Sequence, residues 1–242
     1  MKNIALIFAG GTGSRLSGAT TPKQFLVLSG KPIIIHTLEY FQLSPGIDSI
    51  CVVCLECRIP QLKPLLKRID ISKVNIIVPG GATGMDSIFN GLKAIRESER
   101  DTKDVLVLLH DGVRPLIDTD IIENVISCAR ENGNAVTVSG VVETIMTLGP
   151  DGHIADVVDR SSARRVRAPQ AFFLEDLYSA HVRARKEGYL TAIDSATLMN
   201  HYGATLHPVE GPIENIKITT ASDFYMARAI LDARENSQIF GL

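Results

Sequence analysis

The chain has 242 residues, 45% of them hydrophobic, with 25 Lys and Arg against 27 Asp and Glu and a formal charge of −2. That length and apolar content suit one large α/β domain spanning residues 1–242. The near-balance of charge argues against nucleic acid or an anionic membrane surface as a partner.

The first apolar run, Ile4-Ala5-Leu6-Ile7-Phe8, reads as a strand over 3–8. It is too short for a signal-peptide core, and no later run approaches a membrane span, so a cytoplasmic location is expected. Directly after it comes Ala9-Gly10-Gly11-Thr12-Gly13-Ser14-Arg15, followed by Pro22-Lys23-Gln24. Glycines let a backbone approach a ligand closely and aim several N–H groups at one anion. Arg15 and Lys23 add two cations beside that cradle. The third glycine of a dinucleotide fingerprint is missing, and Ala19 stands where a Walker A loop needs lysine.

Further strands are expected at 48–55, 73–78, 104–109 and 134–139. Amphipathic helical patterns lie between them near 33–43, 59–67, 85–97 and 118–131. Apolar strands alternating with helices imply βαβ units and a mainly parallel sheet covered on both faces. Ligands of such sheets bind at the carboxyl ends of the strands. Cys51, Cys54 and Cys57 have a metal-like spacing. A strand would point Cys51 and Cys54 to opposite faces, so no metal site is assigned to them.

Two more segments sit at the same sheet edge. Pro79-Gly80-Gly81-Ala82-Thr83-Gly84-Met85-Asp86-Ser87 is a second glycine turn opening a helix. Ser87 would read the polar edge of a base, or Ser87 or Asp86 would only cap the helix. His110-Asp111-Gly112-Val113-Arg114-Pro115 ends a buried strand. His110 reads as a buried imidazole. Asp111 is placed to orient a metal or a ribose hydroxyl. Arg114 would reach a phosphate or lock the loop.

Past residue 140, Val141–Leu148 and His153–Val158 flank Gly149-Pro150-Asp151-Gly152, a hairpin signal that predicts an arm over about 141–170. Arg160, Arg164, Arg165 and Arg167 follow. Arginine forks suit phosphate oxygens, and Arg160 is expected to be functional with some of the others at the surface. Helices are expected near 174–187, 194–201 and 221–235, with a strand-like piece at 204–209. Lys217 lies in the apolar strand-like segment Asn215–Thr220 and needs a partner, either a bound phosphate or a carboxylate.

Taken in order, A-G-G-x-G-x-R, P-K-Q, H-D-x-x-R-P, D-R and N-I-K-I-T resemble the cytidylyltransferases that join CTP to a small polyol phosphate. The resemblance runs from about residue 3 to about residue 235. Its members include methylerythritol-phosphate enzymes of isoprenoid synthesis and ribitol-phosphate enzymes of wall and capsule synthesis. It implies a Rossmann-like three-layer nucleotidyltransferase fold with a hairpin arm, and a cytoplasmic homodimer. It also implies Mg²⁺ held mainly by the CTP phosphates.

By the same resemblance, Phe8, Ala9, Gly10, Gly11, Thr12 and Gly13 wrap the triphosphate, and Arg15 and Lys23 stabilise the transition state. Gly80, Gly81, Ala82 and Ser87 hold the cytosine, and Asp111 lies by the nucleotide. Arg160 and Lys217 position the polyol phosphate, with Arg160 coming from the other subunit through the arm. Arg114, Thr144 and Ala168 fall where the acceptor binds.

Relatives often carry an acidic residue and an arginine where Ala82 and Gly84 stand. They often have Asp-Thr in place of Glu143-Thr144, and Thr-Pro-Gln in place of Ala168-Pro169-Gln170. Gly112-Val113 between His-Asp and Arg-Pro resembles the ribitol branch. D-Ribitol 5-phosphate is therefore the expected acceptor, with 2-C-methyl-D-erythritol 4-phosphate as alternative. A non-catalytic nucleotide-binding protein is the reading from another class, and retention of Arg15 and Lys23 argues against it. The chemistry itself asks for cations and backbone N–H groups rather than a base, because a phosphate monoester is largely ionised near neutral pH.

Overall fold

The computed structural model describes residues 1–10 and 21–240, with side chains described through residue 236. The elements run in chain order as β1 (Lys2–Ala9), a 3-10 turn (Lys23–Phe25), a short ribbon of β2 (Val27–Leu28) and β3 (Lys31–Pro32), α1 (Ile33–Leu43), β4 (Ser49–Cys54) and α2 (Ile59–Arg68). Next come β5 (Val74–Pro79), α3 (Gly84–Ser98), β6 (Val105–Asp111), α4 (Thr119–Asn132) and β7 (Asn134–Gly140). The arm strands β8 (Ile145–Leu148) and β9 (Ile154–Val158) precede β10 (Arg164–Phe173) and α5 (Leu174–Glu187). The chain closes with α6 (Ser195–His201), β11 (Pro208–Glu210) and α7 (Ala221–Phe240).

Seven strands form one sheet in the order β11-β7-β10-β6-β1-β4-β5. β1 pairs in parallel with β4 and β6, and β4 with β5. Only β10 runs against its neighbours, antiparallel to both β6 and β7. Side chains of β1 alternate between faces as a strand requires. Ala5, Ile7 and Ala9 join the layer packed under α1, α2 and α4. Ile4 and Leu6 join the layer under α3 and α5. Cys54 falls in the first layer and Cys51 in the second, on opposite faces of β4. A third apolar cluster, with Leu28, Leu116, Ile218 and Leu231, seats α7 against the β2–β3 ribbon.

Four expectations need correction. The segment around Arg164–Arg167, read from sequence as a charge run, opens the ten-residue strand β10. Its exposed first half, Arg164–Val166, hides the strand, and the second half, Ala168–Phe172, is buried between β6 and β7. The strand-like segment at Asn215–Thr220 has no regular structure, because its backbone ties to the core mainly through Ile218 N–H donating to the Val113 carbonyl, 2.9 Å. The strand expected at 204–209 is confined to Pro208–Glu210, where β7 offers a parallel edge. The arm begins later than expected, at Ile145, since Arg160 occupies the Val142 carbonyl at 2.8 Å and Arg165 pairs with Glu143.

Gly91 sets how closely α3 approaches the sheet. A Cβ there would lie 2.5 Å from Leu6 Cδ1 and 2.8 Å from Val53 Cγ2, both on buried residues. Gly91→Ala should therefore lower the unfolding free energy by about 1–3 kcal/mol through overpacking, despite a helix preference worth about 1 kcal/mol in the other direction. Urea denaturation reads the difference, and an unshifted midpoint would contradict the close packing.

Candidate active site

The carboxyl ends of the parallel strands bring the two described glycine segments together. Gly10 follows β1 and Gly80 follows β5. A Cβ on Gly10 would sit 2.9 Å from Ser87 Oγ and 3.5 Å from Gly80 Cα, so both positions require glycine for the loops to touch. Gly80 N–H donates to the Cys54 carbonyl at 2.8 Å, tying the second turn to β4. Thr83 caps α3 in a capping box with Asp86, and Arg185 holds Asp86 at 2.6 Å. Ser87 is buried. Its hydroxyl donates to the Thr83 carbonyl at 3.0 Å and accepts from Gly81 N–H at 3.1 Å. Ser87 thus holds the turn that was expected to read the base, and its own proton is committed.

On the other side, Gln24 is buried and its amide donates to the Ala9 carbonyl at 2.6 Å, anchoring the 3-10 turn that carries Lys23. Gly11, Thr12, Gly13 and Arg15 lie outside the described residues.

β6 ends in His110 and Asp111, both buried. His110 Nε2 lies 3.1 Å from the Arg114 carbonyl oxygen and its ring packs on Phe41 at 5.1 Å. Burial pushes its pKa down to about 4, so the ring is neutral at pH 7. Asp111 receives Arg114 Nε at 2.7 Å on one oxygen and Lys217 Nζ at 2.6 Å on the other. Burial pushes this carboxyl up, but the two cations outweigh it and hold its pKa at about 2. The side chain of Asp111 is 8% exposed and that of Lys217 43%.

Arg114 also donates Nη1 to the Asn215 carbonyl at 3.0 Å, and Asn215 Nδ2 donates to the Ala168 carbonyl at 2.6 Å. Of the two roles left open for Arg114, the structure shows the loop lock. Lys217 has its carboxylate.

A cleft with two compartments surrounds this cluster. One, about 420 Å³, is lined by Phe8, Ala9, Gly10, Lys23, Gly81, Ala82 and Ser87 among others. The second, about 360 Å³, is lined by Arg114, Arg167, Ala168, Gln170, Asp194 and Ser195 among others. Phe8, Thr83, Gly84, Asp111 and Lys217 belong to both. A Cβ at Gly84 would meet nothing within 4 Å, so the absence of a side chain there widens the junction.

The second compartment exists because β10 is antiparallel. Its beginning, not its end, lies beside the carboxyl end of β6, with Gln170 opposite Leu109. Arg167 enters the cleft this way and was missed in the sequence, where it looked like one member of an exposed charge run. The alternation Arg165-Val166-Arg167-Ala168 was the available signal. Arg160 and Thr144, both expected at the acceptor, are exposed at the base of the arm and do not line either compartment of their own chain.

The buried ion pair predicts unequal costs. Arg114→Met leaves Asp111 dependent on Lys217 and should cost about 3–5 kcal/mol. Lys217→Met removes a half-exposed partner and should cost about 1 kcal/mol or less. Asp111 has a folded-state pKa below its unfolded value near 4, so its pairing stabilises above about pH 4 and is lost as pH falls toward 2. Without Arg114 burial dominates, the carboxyl titrates higher, and acid unfolding should begin at a higher pH. Circular dichroism across the acid range checks this, and identical acid midpoints for wild type and Arg114→Met would refute it.

The model of the IspD family, 2-C-methyl-D-erythritol 4-phosphate cytidylyltransferase, matches residues 3–233. A ribitol-5-phosphate cytidylyltransferase of Vibrio parahaemolyticus is 49% identical over 239 residues, covering 99% of this chain and 100% of its own. A 2-C-methyl-D-erythritol 4-phosphate cytidylyltransferase of Clostridium acetobutylicum is 37% identical over 230 residues, covering 95% and 97%. The crystal structure of 4-diphosphocytidyl-2C-methyl-D-erythritol synthase from Anaerococcus prevotii aligns with a TM-score of 0.83 at 25% identity, over 96% of both chains. The mainly parallel sheet is thus the fold shared with these solved relatives, and the chain belongs to the IspD family of cytidylyltransferases.

Proposed function

We propose that the protein transfers CMP from CTP to D-ribitol 5-phosphate, giving CDP-ribitol and pyrophosphate. The observation that carries this reading is the two-compartment cleft meeting at Asp111 and Lys217. One compartment is walled by glycine turns and Lys23, as a nucleotide needs. The other is walled by arginine and small polar side chains, as a phosphorylated polyol needs. The choice of ribitol rests on the relative at 49% identity and on Gly112-Val113. Gly112 packs close, since a Cβ there would lie 3.0 Å from Ala9 Cβ.

In the reaction an oxygen of the acceptor phosphate attacks the α-phosphorus of CTP. A new P–O bond forms, the bond to the β-phosphate oxygen breaks, and pyrophosphate leaves. The acceptor arrives ionised, so the enzyme needs no general base. Its task is to bring two anions together and to stabilise charge on the leaving group. Lys23 and Arg15 serve the triphosphate. Lys217, held by Asp111, faces both compartments and steadies the acceptor phosphate against the α-phosphate. Mg²⁺, held mainly by the CTP phosphates, would neutralise phosphate charge. Ions of this kind use one or two carboxylates beside substrate oxygens, and Asp111 is the carboxylate both compartments share. No cluster of three metal-ligating side chains occurs among the described residues.

The arm supports a homodimer. Met146 faces Val157 and Leu148 faces Ile154 across the ribbon, on one face. Leu148 is 69% and Ile154 61% exposed. An isolated two-stranded ribbon is marginal in water, and an apolar face of this kind calls for a cover. A second copy would also bring Arg160 and Thr144 to the acceptor compartment. A location in the cytoplasm goes with a nucleotide-consuming enzyme.

Purified protein with CTP, Mg²⁺ and a panel of polyol phosphates should release pyrophosphate fastest with D-ribitol 5-phosphate. Faster release with 2-C-methyl-D-erythritol 4-phosphate would replace the acceptor. No release with any of them would defeat the proposal. Lys23→Ala should lower turnover by about 10²–10³-fold while changing stability by about 1 kcal/mol or less. Light scattering should give twice the 26.3 kDa chain mass, and a monomer at micromolar concentration would count against the arm-mediated dimer.

A further inference from the structure

Three cations line the compartment assigned above to the acceptor: Arg114, Arg167 and Lys217. Arg114 and Lys217 are both committed to Asp111. Arg167 is different. Its Nε donates to Ser139 Oγ at 3.0 Å, and no carboxylate lies within ion-pair distance of it among the described residues. Residues 11–20 contain no Asp or Glu.

The fork of Nη1 and Nη2 makes no hydrogen bond among the described residues, although guanidinium carries five donors in all. The side chain is half-buried. Burial, and then the positive charges of Arg114 and Arg165, push its pKa below the usual arginine range. A half-buried cation beside two more cations, without a counter-ion, is an unfavourable arrangement until an anion arrives.

A second feature of the same compartment points the same way. Ser195 is buried, lines the cavity, and its Oγ has no hydrogen-bond partner. Buried hydroxyls are nearly always paired, so an unpaired one lining a cavity is explained by a partner that comes with the ligand. Its neighbour Asp194 is occupied, capping α6 through Thr197 N–H at 2.8 Å and accepting from Gln170. The cavity, about 360 Å³, falls in the range of small-molecule sites.

We propose that Arg167 and Ser195 recognise the acceptor within a single chain, the guanidinium fork binding the phosphate of the polyol phosphate and the Ser195 hydroxyl bonding one of its hydroxyls. The assignment rests on the reading of this compartment as the acceptor site. It adds a cation supplied by the chain's own β10 to those expected from Lys217 and from the partner's arm. A fork matches a phosphate bidentately where a lysine would offer only a point charge.

The test separates acceptor from nucleotide. Arg167→Met should raise the KM for the acceptor at least tenfold and leave the KM for CTP within twofold. Arg167→Lys should fall between, because it keeps the charge and loses the fork. Ser195→Ala should raise the acceptor KM about threefold or more. Thermal unfolding of each variant within a few degrees of wild type excludes a folding defect. The acceptor used is whichever polyol phosphate the wild-type protein turns over best, so a wrong choice of ribitol shows in the wild-type panel and not in the variants. If no acceptor turns over, calorimetric titration of wild type and Arg167→Met with D-ribitol 5-phosphate reads the contact directly. An unchanged acceptor KM or affinity in Arg167→Met overturns the assignment, as does an equal rise in both KM values.

Discussion

The cleft is organised by one buried carboxylate. Asp111 sits at the end of the central strand β6, almost out of contact with water, and stays ionised because Arg114 and Lys217 each take one of its oxygens. In a low-dielectric site such bonds are strong when complete and costly when half made. The pairing reaches well beyond its own atoms. Arg114 extends it to the Asn215 carbonyl, and Asn215 extends it to Ala168 on β10. Three segments far apart in sequence are thereby held in one arrangement: the end of β6, the start of β10 and the irregular stretch before α7. Two cations against one anion also leave the junction of the compartments positive before any ligand arrives.

Sheet direction explains why those segments meet. Parallel strands deliver their carboxyl ends to one edge, which is where Gly10 after β1 and the glycine turn after β5 lie. The antiparallel β10 delivers its beginning to that same edge. Arg167 and Ala168 therefore line the second compartment, while the residues just before them lead out into the arm. The arm and the wall of the second compartment are consecutive pieces of chain.

Much of this was legible from residue order. The βαβ alternation, the hairpin at Gly149–Gly152 and the helix opening after the second glycine turn are local patterns, and local patterns are what a sequence displays most directly. The roles inside the site were less legible. Ser87 reads equally well as a base contact or a turn brace, and only the positions of Gly81 and Thr83 show that its hydroxyl is committed to the turn. β10 was hidden because its first half carries three arginines in four positions, which resembles a solvated charge run. Its pairing partners, β6 and β7, are what make it a strand.

The sequence by itself determined the strand–helix alternation, the glycine positions, the cations and the family resemblance, because each depends on residue type and short spacing. The tertiary structure alone decided which cations are already neutralised. The Arg114–Asp111 pair spans only three residues, but among the described residues Lys217 faces a carboxylate and Arg167 does not, and nothing in the residues adjoining those two says so. That difference arises from long-range contacts: Lys217 crosses from the last loop to β6, and Arg167 is turned inward by a strand whose direction is set by its neighbours. Charge pairing in a folded chain depends on distance in space, and distance in space is fixed only once the sheet is assembled.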